Sequence, residues 1–211
     1  MTSEPRRDPL TDPLLTSENT AMVIIDYQPT QVNTVHSTAT PRMVENIVRL
    51  AQVGLAYSLP LVLSTVNVSN GTNGPTIEPL RNVVGDVKYF DRTSINAWED
   101  ADFKSAVEAT GRKKLIMAAL WTEVCLAFPG LDAMRDGYEV YPVVDAVGGT
   151  SVEAHRAGLD RLNLAGAIPA SVASIACELQ RDWSRIETVP AFKEILVGIE
   201  ADGGPGVASP D

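Results

Sequence analysis

Short runs of β-branched and other apolar residues alternate along the chain with longer stretches whose apolar residues recur at i, i+3 and i+4, and this alternation narrows the choice of fold more than any other feature. Parallel neighbours in a sheet need a crossover connection, and a crossover helix covers one face of the sheet it spans. Six runs read as strands: 21–26 (AMVIID), 61–66 (LVLSTV), 87–90 (VKYF), 114–119 (KLIMAA), 139–144 (EVYPVV) and a weaker 167–170. Helices are predicted over roughly 40–58, 99–110, 123–136, 151–165 and 172–183. The fold class is therefore α/β, a mostly parallel six-stranded sheet covered by helices.

Boundary residues agree with this reading. Gly111 and Gly137 stand where a left-handed cap ends a helix before the next strand. The run SNGTNGP (69–75) is a loop at the carboxyl edge of the sheet, where ligands bind in such folds. Pro142 removes a ladder donor and marks its strand as irregular or near an edge. Residues 1–18 and about 200–211 are rich in Pro, Gly and Ser and read as flexible or partner-wrapping arms. The organisation expected is an N-terminal arm (1–18), one domain (19–190) and a partly flexible C-terminal extension (191–211).

Composition excludes several function classes. A formal net charge of -10 opposes nucleic-acid binding, which needs clustered Lys and Arg facing phosphates. The densest basic run, Arg112, Lys113 and Lys114, lies between a helix and a strand and reads as a solvated turn. No apolar run approaches the roughly 20 residues that cross a bilayer, and the first residues lack the apolar core of a secretory signal, so a cytoplasmic protein is expected. His36 and His155 have no metal-ligand spacing, and Gly148-Gly149-Thr150 has neither the spacing nor the lysine of a phosphate loop; neither a metal nor a nucleotide cofactor is expected.

Three strand ends carry residues with chemistry. Cys125 follows strand 114–119 at the start of a helix, where unpaired N–H groups and the macrodipole favour a thiolate and lower its pKa. On composition alone a small buried apolar side chain is the commoner case. Asp26 ends an apolar strand and is expected at the same sheet edge, able to take the thiol proton and return it to a leaving group, or else to cap a turn. Arg92 follows strand 87–90; it either holds that carboxylate ionised or forms a surface ion pair with Asp91 or Glu99.

AMVIIDYQ, FDRTSINAWEDADF, KKLIMAALWTEVCLAFPGLDAMRDGYEVYPVVDA and ASIACELQRDW, in this order over most of 20–190, resemble the isochorismatase-like cysteine hydrolases, and most of all the bacterial branch of octameric hydrolases of uncertain substrate. The resemblance implies a three-layer α/β/α domain, a catalytic set of Asp26, Arg92 and Cys125, an oxyanion hole from the N–H groups of Trp121 and Cys125, and a non-proline cis peptide between Leu120 and Trp121. It also implies a homo-oligomer, tetramer or octamer, to which the aromatic residues of INAWEDADF and LAFPGL are suited as subunit contacts. Arg92 stands where the wider family has lysine, and Ala119 where it usually has glycine. No DxH motif of the nicotinamidase relatives is present.

The activity expected is cleavage of a C–N bond in a small amide or related molecule through a thioester on Cys125. The alternative is a non-catalytic or stress-related oligomer that keeps the fold, which the Arg92 and Ala119 departures suggest. A redox role pairing Cys125 with Cys177 needs their Cα atoms within about 7 Å.

Overall fold

The computed structural model describes residues 7–202. Its single sheet has five strands: β1 (Thr20–Ile25), β2 (Leu61–Val66), β3 (Tyr89–Arg92), β4 (Lys114–Ala119) and β5 (Glu139–Pro142). All pairings are parallel and the spatial order is β3-β2-β1-β4-β5, so the first strand made sits in the middle. Both central strands, β1 and β4, are buried at every residue. This is why they read as continuous apolar runs instead of alternating ones.

The helices are α1 (Pro29–Asn33), α2 (Thr40–Ala56), α3 (Glu78–Val84), α4 (Ala101–Ala109), α5 (Ala127–Arg135), α6 (Val152–Leu164), α7 (Val172–Gln180) and α8 (Val189–Asp202). All but the short α1 sort into two packed groups that cover the sheet, giving three layers. One is α2 with α3, α7 and α8; the other is α5 with α6 and, through a 3-10 turn at Ala97–Glu99, α4. Among the described residues no helix is long and apolar enough to cross a membrane.

The expected sixth strand reduces to one bridge, Val143 with Ala170. Ile168 N–H donates to Val140 O at 2.9 Å and Ala170 N–H to Pro142 O at 3.0 Å. The bond that would complete a second bridge must come from the N–H of residue 142, and proline has none. The strand read at 87–90 lies two residues later, and the helix read at 99–110 is a 3-10 turn followed by α4. The two cap glycines behave as expected: Gly111 (φ 67°) and Gly137 (φ 84°) close α4 and α5 in left-handed conformations.

The terminal segments depart from the expected loose arms. Leu15 is fully buried and its N–H donates to Glu178 Oε2 at 2.8 Å. Lys114, read as part of a solvated turn, is 5% exposed and its Nζ donates to the carbonyls of Asp12 at 2.9 Å and Pro13 at 2.6 Å. At the other end, the boundary expected at 191 falls inside α8, whose Phe192 and Ile195 are buried. Residues 1–6 and 203–211, also expected as arms, lie outside the described residues.

Of the aromatic residues assigned to subunit contacts, Trp98 and Phe103 face inward, while Phe128 is half-buried. Trp98 and Phe103 are buried and meet edge to face, with ring centroids 6.4 Å apart, and Tyr138 completes the cluster at 5.5 Å from Trp98.

Candidate active site

β1 ends at Ile25, and Asp26 turns the chain at once in a left-handed conformation (φ 62°) that Asp adopts more readily than most residues. Its N–H stays bonded to Ser64 O of β2 at 3.0 Å, and its side chain is fully buried. Arg92 arrives from the end of β3, on the far side of β2. Its Nη1 and Nη2 each donate to one Asp26 oxygen at 2.7 Å. Nη1 also reaches Ser64 Oγ at 3.0 Å, and Nη2 reaches Ile95 O at 3.1 Å. Arg92 is thus no surface ion pair with Asp91 or Glu99. Asp91 points to the opposite face of β3, where it accepts from Thr65 Oγ1 and from the N–H groups of Val68 and Ser69.

Cys125 arrives from β4. The Leu120–Trp121 peptide is cis, and the following turn, Thr122–Leu126, is π-helical before α5 continues as an ordinary helix. Cys125 therefore sits in a wide turn and not in the first turn of a regular helix. It is 7% exposed. Its sulfur lies close enough to the Asp26 carboxylate and to the Trp121 backbone for both to act on its proton. Asp26, Arg92 and Cys125, separated along the chain, are brought together.

The expected lowering of the Cys125 pKa does not occur. Burial pushes the thiol far above its ordinary range, and the charge and hydrogen bond of Asp26 push the same way. Arg92 and the Trp121 N–H pull it back only in part. The resting form is therefore the thiol. Cys177 is exposed and, like Cys125, forms no disulfide.

Several supporting residues escaped the sequence reading. Ser64, which links Arg92 to Phe90 O, is one serine in a strand and carries no pattern of its own. Gln28 pins the loop after β2, accepting from Val66 N–H at 2.8 Å and donating to Gly74 O at 2.7 Å. Its place two residues after Asp26 was the available signal. The Trp121 indole N–H reaches Thr34 Oγ1 at 3.0 Å, tying the cis-linked residue to the end of α1. Among the described residues no three His, Cys, Asp or Glu side chains group as metal ligands would.

The residues matched by the isochorismatase domain model run from 20 to 174, from β1 into α7, and include all three of these side chains. The chain belongs to the isochorismatase family. Within it, the chain is 36% identical over 170 residues to "Probable hydrolase YcaC" of Escherichia coli, covering 80% of this chain and 81% of that protein. The solved E. coli YcaC gene product, described as an octameric hydrolase of unknown specificity, superposes with a TM-score of 0.78 at 30% identity, over 94% of this chain and 99% of that one. YcaC from Pseudomonas aeruginosa, solved with hexane-2,5-diol and covalent acrylamide, gives 0.83 at 34% identity, over 89% of this chain and 92% of that one.

Proposed function

We propose that this isochorismatase-family chain is a cysteine hydrolase that cleaves a C–N bond of a small amide or related molecule, acting in the cytoplasm as a homo-oligomer. The observation that carries the reading is that Cys125 meets an Asp26 carboxylate locked at both oxygens by Arg92. Cys125 gives its proton to Asp26 as sulfur attacks the carbonyl carbon, and the N–H groups of Trp121 and Cys125 receive the oxyanion. The leaving amine takes the proton from Asp26 as the C–N bond breaks, which leaves a thioester. Water then loses a proton to Asp26, attacks the thioester and frees the acid, and the proton returns to sulfur. Arg92 stays charged throughout and shuttles nothing.

Two further points support the reading. A covalent acrylamide in the P. aeruginosa relative is the kind of adduct a nucleophilic side chain forms, and Cys125 is the side chain to which we assign that character here. The octameric E. coli relative supports assembly. The test is a screen of small amides, with product and acyl-enzyme followed by mass spectrometry. Wild type is expected to accumulate an acyl group on Cys125. Cys125→Ala is expected to show none, and Asp26→Asn to lose turnover by a factor of about a hundred or more. Full turnover by Cys125→Ala would end the proposal in favour of another nucleophile. No turnover of any amide by wild type would favour the non-catalytic oligomer.

A further inference from the structure

Gly148-Gly149-Thr150, which has no phosphate-loop chemistry, packs directly on the turn that bears Cys125. Thr122 N–H donates to Gly148 O at 3.0 Å. One residue on, Glu123 Oε1 accepts two bonds from Thr150, from its N–H at 2.9 Å and from its hydroxyl at 2.6 Å. Glu123 Oε2 is buried and has no hydrogen-bond partner among the described residues. It lies so close to Gly149 that a Cβ there would stand 2.4 Å from it. From the other side α6 presses on the same residue, and a Cβ on Gly158 would fall 2.8 Å from Glu123 Cα. The buried Thr122 hydroxyl is 2.8 Å from His155 Nδ1 of α6.

A carboxylate with one oxygen doubly bonded and the other buried bare is an expensive arrangement for a side chain that only fills space. Gly149 and Gly158 both lack the atom that would push Glu123 away. We propose that Glu123 is a positioning residue: by gripping Thr150 across two glycines it fixes the π-helical turn in the placement that sets the Cys125 sulfur against Asp26 and the Trp121 N–H. The inference rests on the nucleophile reading of Cys125 and adds to it the device that aims the sulfur.

The experiment is the pH–rate profile of Cys125 alkylation by iodoacetamide, read by mass spectrometry on the folded full chain, with exposed Cys177 in the same molecule as reference. Glu123→Ala and Gly149→Ala break the grip from opposite sides. Both are expected to move the Cys125 profile toward that of Cys177 by about one pH unit or more, since a sulfur that leaves Asp26 loses part of what holds its proton. Glu123→Gln keeps the acceptor for Thr150 and is expected to superimpose on wild type, a rescue that a purely structural role would not require. Thr150→Val, which removes one of the two bonds, should move the profile part of the way and carries the test if Glu123→Ala does not fold. Profiles for Gly149→Ala and Thr150→Val that are unmoved, or moved the other way, overturn the proposal. Labelling needs no turnover, so failure of wild type to hydrolyse any amide would remove the hydrolase reading and leave this result standing.

Discussion

Arg92 is tolerable in the interior only because Asp26 meets it with both oxygens; each partner alone is a buried, unpaired charge. Arg92→Met is therefore expected to cost about 3–5 kcal/mol in urea unfolding. The double variant Asp26→Leu with Arg92→Met should recover most of that, because no charge is then stranded. Equal destabilisation of single and double variants would show that packing, not charge, is what Arg92 supplies. Such a pairing was only partly legible. A charged residue after an apolar strand marked Asp26 and Arg92 as groups at one sheet edge, but nothing in the sequence chose Asp26 over Asp91 or Glu99 as the partner. That choice is made by strand order, since β3 and β1 flank β2 and their end residues point to one face. The Cys125 pKa was misjudged for a related reason: the helix-start argument knows nothing of a carboxylate that arrives from another strand.

Among the elements, β1, β2 and β4 were readable because buried parallel strands are long apolar runs. β3 is found two residues beyond its expected place because it is short and half-buried, and the sixth strand reduces to a bridge because the missing donor of Pro142 cuts it. The N-terminal stretch misled by composition. Its prolines and polar residues look loose, while its carbonyls are gathered by the Lys114 ammonium from the start of β4. Lys114→Met is expected to lower stability by about 2 kcal/mol and to speed chymotryptic cleavage after Leu14 or Leu15. An unchanged cleavage rate would mean that Leu15 burial alone holds the segment. At the same edge of the sheet, Tyr57 ends α2 and donates to Gln180 Oε1 of α7 at 2.7 Å. Burial pushes its pKa up from 10.0 to about 12. A raised pKa means that its contribution is complete below pH 10.0 and drains away as pH climbs toward about 12. Stability of Tyr57→Phe should fall less steeply across that window than stability of wild type, and parallel slopes would refute the assignment.

For the whole molecule, two of the aromatic residues that the sequence offered as subunit contacts, Trp98 and Phe103, are spent on the core. What remains outside is a different set, including Trp183 (61% exposed) and Ile186 (76% exposed) in the link between α7 and α8. Light scattering on a size-exclusion column is expected to give a multiple of the 22.6 kDa chain mass. A monomer at micromolar concentration would contradict the assembly inferred from the octameric relative. Strand order also bears on how the chain is born. β1 is the first strand to leave the ribosome, yet one of its two flanks is reserved for β4, which emerges only after β2 and β3. Until Lys114–Ala119 follows, a six-residue and almost wholly apolar ribbon lies open along one side, a template for sticking to other nascent chains. Fragments that stop short of β4 should therefore precipitate, and the living cell must shield this protein longest at its very centre.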